Sequence, residues 1–364
     1  MQKTGSVDLS LHYGKAPSWL FNRMVSLSKP IIEAIIYEYG RDEFLKRLSD
    51  PFWFQSFGCV LGFDWQSSGL TTTTCAALKL AISKDDGIKV AGGKGKYSKD
   101  TLKEIENTSD FFNLGYKKIE TLKYASKMSA KVDNNCLQDG YSLYHHTFVF
   151  TENGDWIVIQ QGMKNEYARR YHWSSSSLTS FIEEPHKSIF GNIKESNVLD
   201  LTSKENKEIR KASVDLVKDN PIHLKKYFSF QSNLLEFQNF EKITFPKRHH
   251  IISSDISKNG WQSLQKAYEL QVKDYEELVA LEGIGQKTLK SLALISELIY
   301  GNEISWKDSA KFAYCVGGKD KIPFEIDKSH YDDVILNLKE AIELAKLEKT
   351  EKIKAIKRLV KILS

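Results

Sequence analysis

The chain has 364 residues, enough for a sizeable core and two or three domains. Its 52 basic and 47 acidic residues leave a net charge of +5, too mild for a uniformly basic coat, so any nucleic-acid surface is a local patch. Four scattered cysteines, Cys59, Cys75, Cys136 and Cys315, form no Cys-x-x-Cys pair. This excludes a disulfide framework and a zinc finger, and predicts a reducing, cytoplasmic setting. No apolar run reaches the ~18 residues of a membrane span. The stretch Met1–Asp8 lacks an apolar signal core, and no membrane partner is expected.

In chain order, residues 17–50 carry helical periodicity through Trp19, Leu20, Met24, Leu27, Ile31, Ile35 and Ile36, with Pro17 and Pro30 as starts or breaks. An aromatic-rich stretch follows from Pro51. Val60–Trp65 reads as a short buried strand that presents Asp64 at its end. A Thr-rich helix ends near Ile82. Ile88–Ala91 reads as a strand feeding a glycine loop, Gly92-Gly93-Lys94-Gly95-Lys96, before a helix capped by Ser98 or Asp100. That loop does not match the phosphate-binding loop of nucleotide hydrolases. Its expected role is a basic loop, with Lys94 and Lys96 on a DNA backbone. Residues 114–132 read as another helix.

The clearest strand signal is Tyr141–Phe150, then Asn153-Gly154, then Trp156–Gln161. A two-residue turn at Asn153-Gly154 predicts Phe150 opposite Ile157, Phe148 opposite Ile159 and His146 opposite Gln161. The apolar rungs then lie near the turn. His145, His146, Gln160, Gln161 and Tyr144 gather at the far end, with Asp139 beside them. A neutral imidazole and a carboxylate suit a divalent metal or a general base. Alternation puts only one of the two histidines on a given face. The competing reading is a polar sheet end satisfied by neighbouring loops.

Ala168–Trp173 reads as a third strand, with Arg170 placed for a phosphate and aromatic neighbours for stacking or cation–π packing. Glu183, Glu184 and His186 follow in a polar, loop-rich stretch. Asp8, His12 and Lys15 are further ionisable groups near the start. The tail from Tyr331 to Leu363 reads as one or two amphipathic helices packed on the body, with Lys354, Arg358 and Lys361 along one face.

Residues 275–299 hold two helical patterns around Leu281-Glu282-Gly283-Ile284-Gly285-Gln286-Lys287-Thr288. This segment resembles the helix-hairpin-helix motif, which binds DNA without reading its sequence. Gly283 and Gly285 permit a tight turn with positive φ, and the turn opens on a helix N-terminus that attracts phosphate. Lys287, Thr288 and Lys290 are placed to add contacts. Lys287 also stands where hairpin-bearing DNA glycosylases carry a Schiff-base lysine. The first aspartate downstream, Asp308, sits in a different context from theirs.

Several blocks together resemble the family called domain of unknown function 763. They are Lys3–Leu9 with Leu11–Pro17, Phe57–Trp65, Gly92–Lys96, Asp139–Tyr141 through Gln160–Met163, and Ala168–Trp173. Gln66 stands where the resemblance implies His. The resemblance implies membership, and a DNA-processing role only through the hairpin.

The expected architecture is α+β. Residues 1–204 form a mixed domain with an antiparallel, hairpin-containing sheet, and residues 205–364 an all-helical DNA-binding domain. The expected function is a metal-dependent nuclease in DNA repair or recombination. Asp139, His146, Gln161 and Arg170 would be its catalytic residues. Asp139, Asp64 and His146 would hold Mg²⁺ or Mn²⁺, because hard cations prefer oxygen ligands. The alternatives are a non-catalytic architectural DNA-binding protein and a glycosylase or lyase. A homo-oligomer is compatible with the sequence.

Overall fold

The computed structural model describes residues 5–6, 16–63, 68–108, 112–165, 167–191, 194–225, 256–310, 315–316 and 328–363. Asp8, His12, Lys15, Asp64 and Gln66 lie outside the described residues. The fold is α+β. A short pair joins β1 (Gly5–Ser6) to β9 (Cys315–Val316). Helices α1 (Ser18–Tyr39), α2 (Arg41–Ser49), α3 (Pro51–Val60) and α4 (Gly69–Ala81) come next. Strand β2 (Ile88–Lys94) leads to α5 (Lys96–Lys99), α6 (Thr101–Glu106) and the long α7 (Tyr116–Asn135).

Pro30 lies inside α1 rather than breaking it. A mid-helix proline costs about 3 kcal/mol. Leu27, Ile31, Ile32 and Ile35 are buried on both sides of it, each worth about 1.5–3 kcal/mol, and this outweighs the loss.

The strand expected at Val60–Trp65 is absent from the described part of that stretch. Asp50 caps α3, its Oδ1 accepting from the Phe52 and Trp53 amides at 2.8 Å, and Pro51 fits the first turn. All ten residues of α3 are buried, so its apolar run has no polar face to betray a helix. The Gly62 amide bonds the Cys59 carbonyl and the Phe63 amide bonds that of Gly58, closing the helix end.

A two-residue strand, β3 (Leu137–Gln138), precedes β4 (Ser142–Thr151), β5 (Trp156–Lys164), β6 (Tyr167–Ser174) and β7 (Ser188–Gly191). The main sheet runs β2-β4-β5-β6-β7, antiparallel throughout. Strand β3 pairs with β8 (Leu199–Asp200). The glycines expected to form a loop instead continue β2, with Gly92 opposite Thr147 and Gly93 opposite His146. Glycine is needed at 92, where φ is +86° and a Cβ would lie 2.3 Å from the His146 carbonyl oxygen.

The β4–β5 register differs from expectation by one residue. Phe150 faces Trp156, His146 faces Gln160, and His145 faces Gln161. The Thr151 amide bonds the Asp155 carbonyl and the Gly154 amide bonds that of Thr151, leaving a three-residue loop with Gly154 at φ +94°. That is a type I turn closed by a left-handed glycine, not the two-residue turn. The register shifts again between Leu143 and His145.

Both faces of the sheet are covered. Phe148, Phe150, Trp156, Val158 and Trp173 join one core with α7 residues such as Leu122 and Val132. Val90, Val149, Ile157 and Ile159 join a second core with α1–α4. The C-terminal helices divide between these cores. Helices α8 (Lys207–Lys218), α9 (Lys258–Leu270), α10 (Tyr275–Ala280) and α11 (Gln286–Tyr300) extend the first. Helices α12 (Lys328–Leu344) and α13 (Lys349–Leu363) extend the second through Leu338, Ala341, Ile342, Ala355 and Leu359. The boundary expected at 204/205 therefore does not coincide with a break in packing, since Leu201 and Ile209 share one core. Arg358 donates to the Val60 carbonyl and Arg23 pairs with Glu351 at 2.7 Å, docking the tail on the body.

Candidate functional site

A cleft of about 690 Å³ opens between the α5–α6 segment, helix α7 and the far end of β4. His146 and Gln160 line it, as do Ser126, Lys127 and Lys131 of α7, Lys99 of α5, and Gln286 at the start of α11. Among the described residues the wall carries these three lysines and no carboxylate. Lysines gathered in a concave wall create a local positive potential.

Helix α7 also positions the helical pair α10–α11 beside the cleft. The Lys131 ammonium donates to the carbonyls of Val279, Ala280 and Leu281, at 3.0, 3.1 and 2.5 Å, at the end of α10. A cation satisfies the orphan carbonyls of a helix C-terminus. Burial pushes the Lys131 pKa down to about 8. Gln138 Nε2 donates to the Gln286 carbonyl at 2.9 Å.

The two helices fall where the sequence placed them, with corrections in the turn. Gly283 has φ +82°, but Gly285 is extended, at φ −125°. Gly285 caps α11 without a side chain, and a Cβ there would meet nothing within 4 Å. Thr288 is buried, with its Oγ1 facing Gly260, so its hydroxyl does not add an outward contact. Lys287 and Lys290 are exposed, and the Lys290 ammonium lies 6.0 Å from the Trp306 ring centre. Lys94 and Lys96 are exposed at the end of β2, outside the cleft lining, near the Tyr144 and Tyr97 rings.

The sheet separates the other expected residues. His146 points to the α7 face. Its Nε2 lies 2.8 Å from Ser126 Oγ and its Nδ1 3.0 Å from Gln160 Oε1. Gln160 Nε2 donates to Asp133 Oδ2 at 2.6 Å, and Asp133 also takes Trp173 Nε1 at 3.1 Å and His186 Nε2 at 2.5 Å. Burial lowers the His146 pKa, with Gln160 and Asp133 opposing, so the imidazole is neutral near pH 7.

Gln161 and Arg170 point to the opposite face. Gln161 donates to Tyr144 and to the Ser68 carbonyl. Arg170 is fully buried between the Phe54 and Phe190 rings and donates to Gln55 Oε1 at 2.9 Å and Thr71 Oγ1 at 3.2 Å. It holds core structure and does not reach a phosphate in the cleft.

Asp139 is equally occupied. Its Oδ1 accepts the Tyr141 amide at 2.9 Å, and its Oδ2 accepts Arg169 Nη1 at 3.0 Å and Tyr171 Oη at 2.7 Å. Asp308 grips the same guanidinium with both oxygens, at 3.0 and 2.7 Å. Burial pushes the Asp139 carboxyl up, against the pull of Arg169.

A divalent ion on Asp139 and His146 does not fit this arrangement. Both imidazole nitrogens are hydrogen-bonded, and the carboxylate sits against a guanidinium that would repel a cation. Among the described residues no group of three His, Cys, Asp or Glu side chains is disposed to hold a metal. Glu183 pairs with Arg210, and His186 is held by Asp133. Asp308, the carboxylate that Schiff-base chemistry at Lys287 would draw on, is committed to Arg169.

Ser126, Asp133 and the lysines of α7 were missed by sequence reasoning. Their trace is there in retrospect. Ser126, Ser129 and Asp133 interrupt the buried stripe of Ala125, Met128 and Val132, and a polar residue on a buried helical face needs a partner.

Residues 5–326 match the family described as Protein of unknown function (DUF763), and the chain belongs to that family. Neither a curated protein nor a solved structure matches the chain. No helix among the described residues is long and apolar enough to cross a membrane.

Proposed function

We propose that the protein binds DNA along its phosphate backbone and cleaves that backbone in the cleft beside the α10–α11 pair, in repair or recombination. One observation carries this. Gln286, the first residue of α11, lines the same cleft as the His146 imidazole, and the wall between them is basic. A phosphate at the start of α11 meets backbone amides and the positive end of the helix. The neighbouring phosphate then falls against Lys99 and Lys127, with the charge of Lys131 behind them and the neutral His146 imidazole in the same lining as general base. Phosphate contacts of this kind carry no sequence preference. Cleavage with and without Mg²⁺ and Mn²⁺ decides whether either metal is needed.

The test uses fluorescent single- and double-stranded oligonucleotides with Mg²⁺, with Mn²⁺ and with chelator. Binding to duplex weakens with salt, at a log–log slope of about −0.9 for each phosphate neutralised. Lys127→Glu weakens binding on every sequence alike, and His146→Gln abolishes cleavage with binding retained. Absence of binding at low salt overturns the proposal. Binding without cleavage under all three conditions leaves a DNA-binding protein of architectural type.

A further inference from the structure

The hydrogen bonds around His146 form a directed chain. The Asp133 carboxylate only accepts, so the Gln160 amide must turn its NH₂ toward it, at 2.6 Å. Gln160 Oε1 is thereby presented to His146 Nδ1, which must carry the proton. The lone pair is left on Nε2, and Ser126 Oγ, 2.8 Å away, donates its hydrogen there. Trp173 and His186 hold Asp133 in turn. Serine in a helix often bonds the carbonyl one turn back, as Ser213 and Ser296 do here at 2.7 Å. Ser126 is drawn to the imidazole instead. Both Ser126 and His146 line the basic cleft.

A hydroxyl, a base with its lone pair directed at that hydroxyl, and a third group fixing the tautomer are the parts of an activated serine nucleophile. We propose that Ser126 is a catalytic nucleophile and His146 its base, with Gln160 and Asp133 as positioning residues, and that the group attacked is a phosphodiester.

Ser126 Oγ forms a bond to phosphorus as its proton passes to His146 Nε2. The bond from phosphorus to one sugar oxygen breaks, and that oxygen takes the proton from the imidazolium. Water then attacks the phosphoserine diester, His146 takes its proton, and Ser126 Oγ leaves and recovers a proton. The balance is one phosphodiester and one water giving a phosphomonoester and an alcohol. The substrate class rests on the reading of the cleft as a DNA-backbone site, whereas the serine–histidine pair does not.

The experiment has two arms on the full chain. In the first, a fluorophosphonate probe is added without DNA. Ser126 Oγ displaces fluoride, and peptide mass spectrometry finds the phosphonyl group on Ser126. His146→Ala lowers the labelling rate about 100-fold or more, the scale of general-base assistance. Gln160→Ala lowers the maximal labelling rate without changing the half-saturating probe concentration, which a loss of packing alone would not do. In the second arm, an oligonucleotide labelled at each end in turn is quenched in detergent, and a covalent adduct appears that Ser126→Ala lacks. No label on Ser126 in the folded parent protein overturns the nucleophile. Cleavage at the parental rate by Ser126→Ala overturns it too, while leaving the DNA-cleaving function standing. Label on Ser126 without DNA binding retains the activated serine and discards the DNA reading of the cleft.

Discussion

Acidification should destabilise the fold through histidines buried in neutral form. His145 and His172 are buried, His145 beside Thr147 and His172 against Phe54 of α3. Burial, reinforced by charged neighbours, lowers the His145 pKa to about 3 and holds that of His172 well below its usual value. The sign follows from linkage. The unfolded chain takes up a proton at each site as pH falls through about 6.5, whereas the native state does not until much lower pH, so stability is complete above that value and declines below it. Between about pH 7.5 and 5.5 each such histidine costs about 1.4 kcal/mol, so the pair costs about 3 kcal/mol, and His146 adds to the same trend. Replacing His172 with Phe keeps an aromatic ring against Phe54, which now stands edge-on at 5.7 Å, and removes one titrating site. Urea unfolding of parent and His172→Phe across this range is the assay. The variant should lose about 1.4 kcal/mol less than the parent over the window. Equal losses in the two proteins, or stability that rises as pH falls, would refute the reasoning.

Three further predictions separate framework from binding. Gly283→Ala should lower stability by about 2–3 kcal/mol, combining the left-handed penalty with the loss of a Ser263 hydrogen bond, because its Cβ would lie 2.1 Å from Ser263 Oγ. Gly285→Val should leave the melting temperature nearly unchanged yet weaken DNA binding by crowding the entrance to α11; calorimetry and fluorescence anisotropy read the two effects, and unaltered affinity would remove the turn from the DNA interface. Asp139→Asn should destabilise the fold by about 1–3 kcal/mol, since it weakens a buried, charge-assisted hydrogen bond while Asp308 still pairs with Arg169. A full-strength melting transition in that variant, with cleavage alone lost, would return Asp139 to the reaction centre.

The sequence by itself determined the elements whose signals are local. The strands around Asn153-Gly154, the long helix through Leu122 and Val132, and the helices either side of Gly283 follow from apolar spacing and turn residues. The α+β class follows with them. It misplaced what depends on a single residue of register. Three loop residues in place of two move His146 from Gln161 to Gln160, because a one-residue slip exchanges the partner of every side chain. It also misread α3, whose wholly buried run looks alike as helix or strand. Tertiary structure alone decided the site. Asp139 and Arg170 look catalytic as isolated residue types, but Arg169 neutralises the first and aromatic rings enclose the second. Ser126 and Asp133 look like ordinary polar positions of a helix until packing brings α7 against the sheet and aims them at His146 and Gln160. The physical reason is that a reactive constellation is a set of distances between side chains far apart in the chain, and periodicity records only which face each one is on.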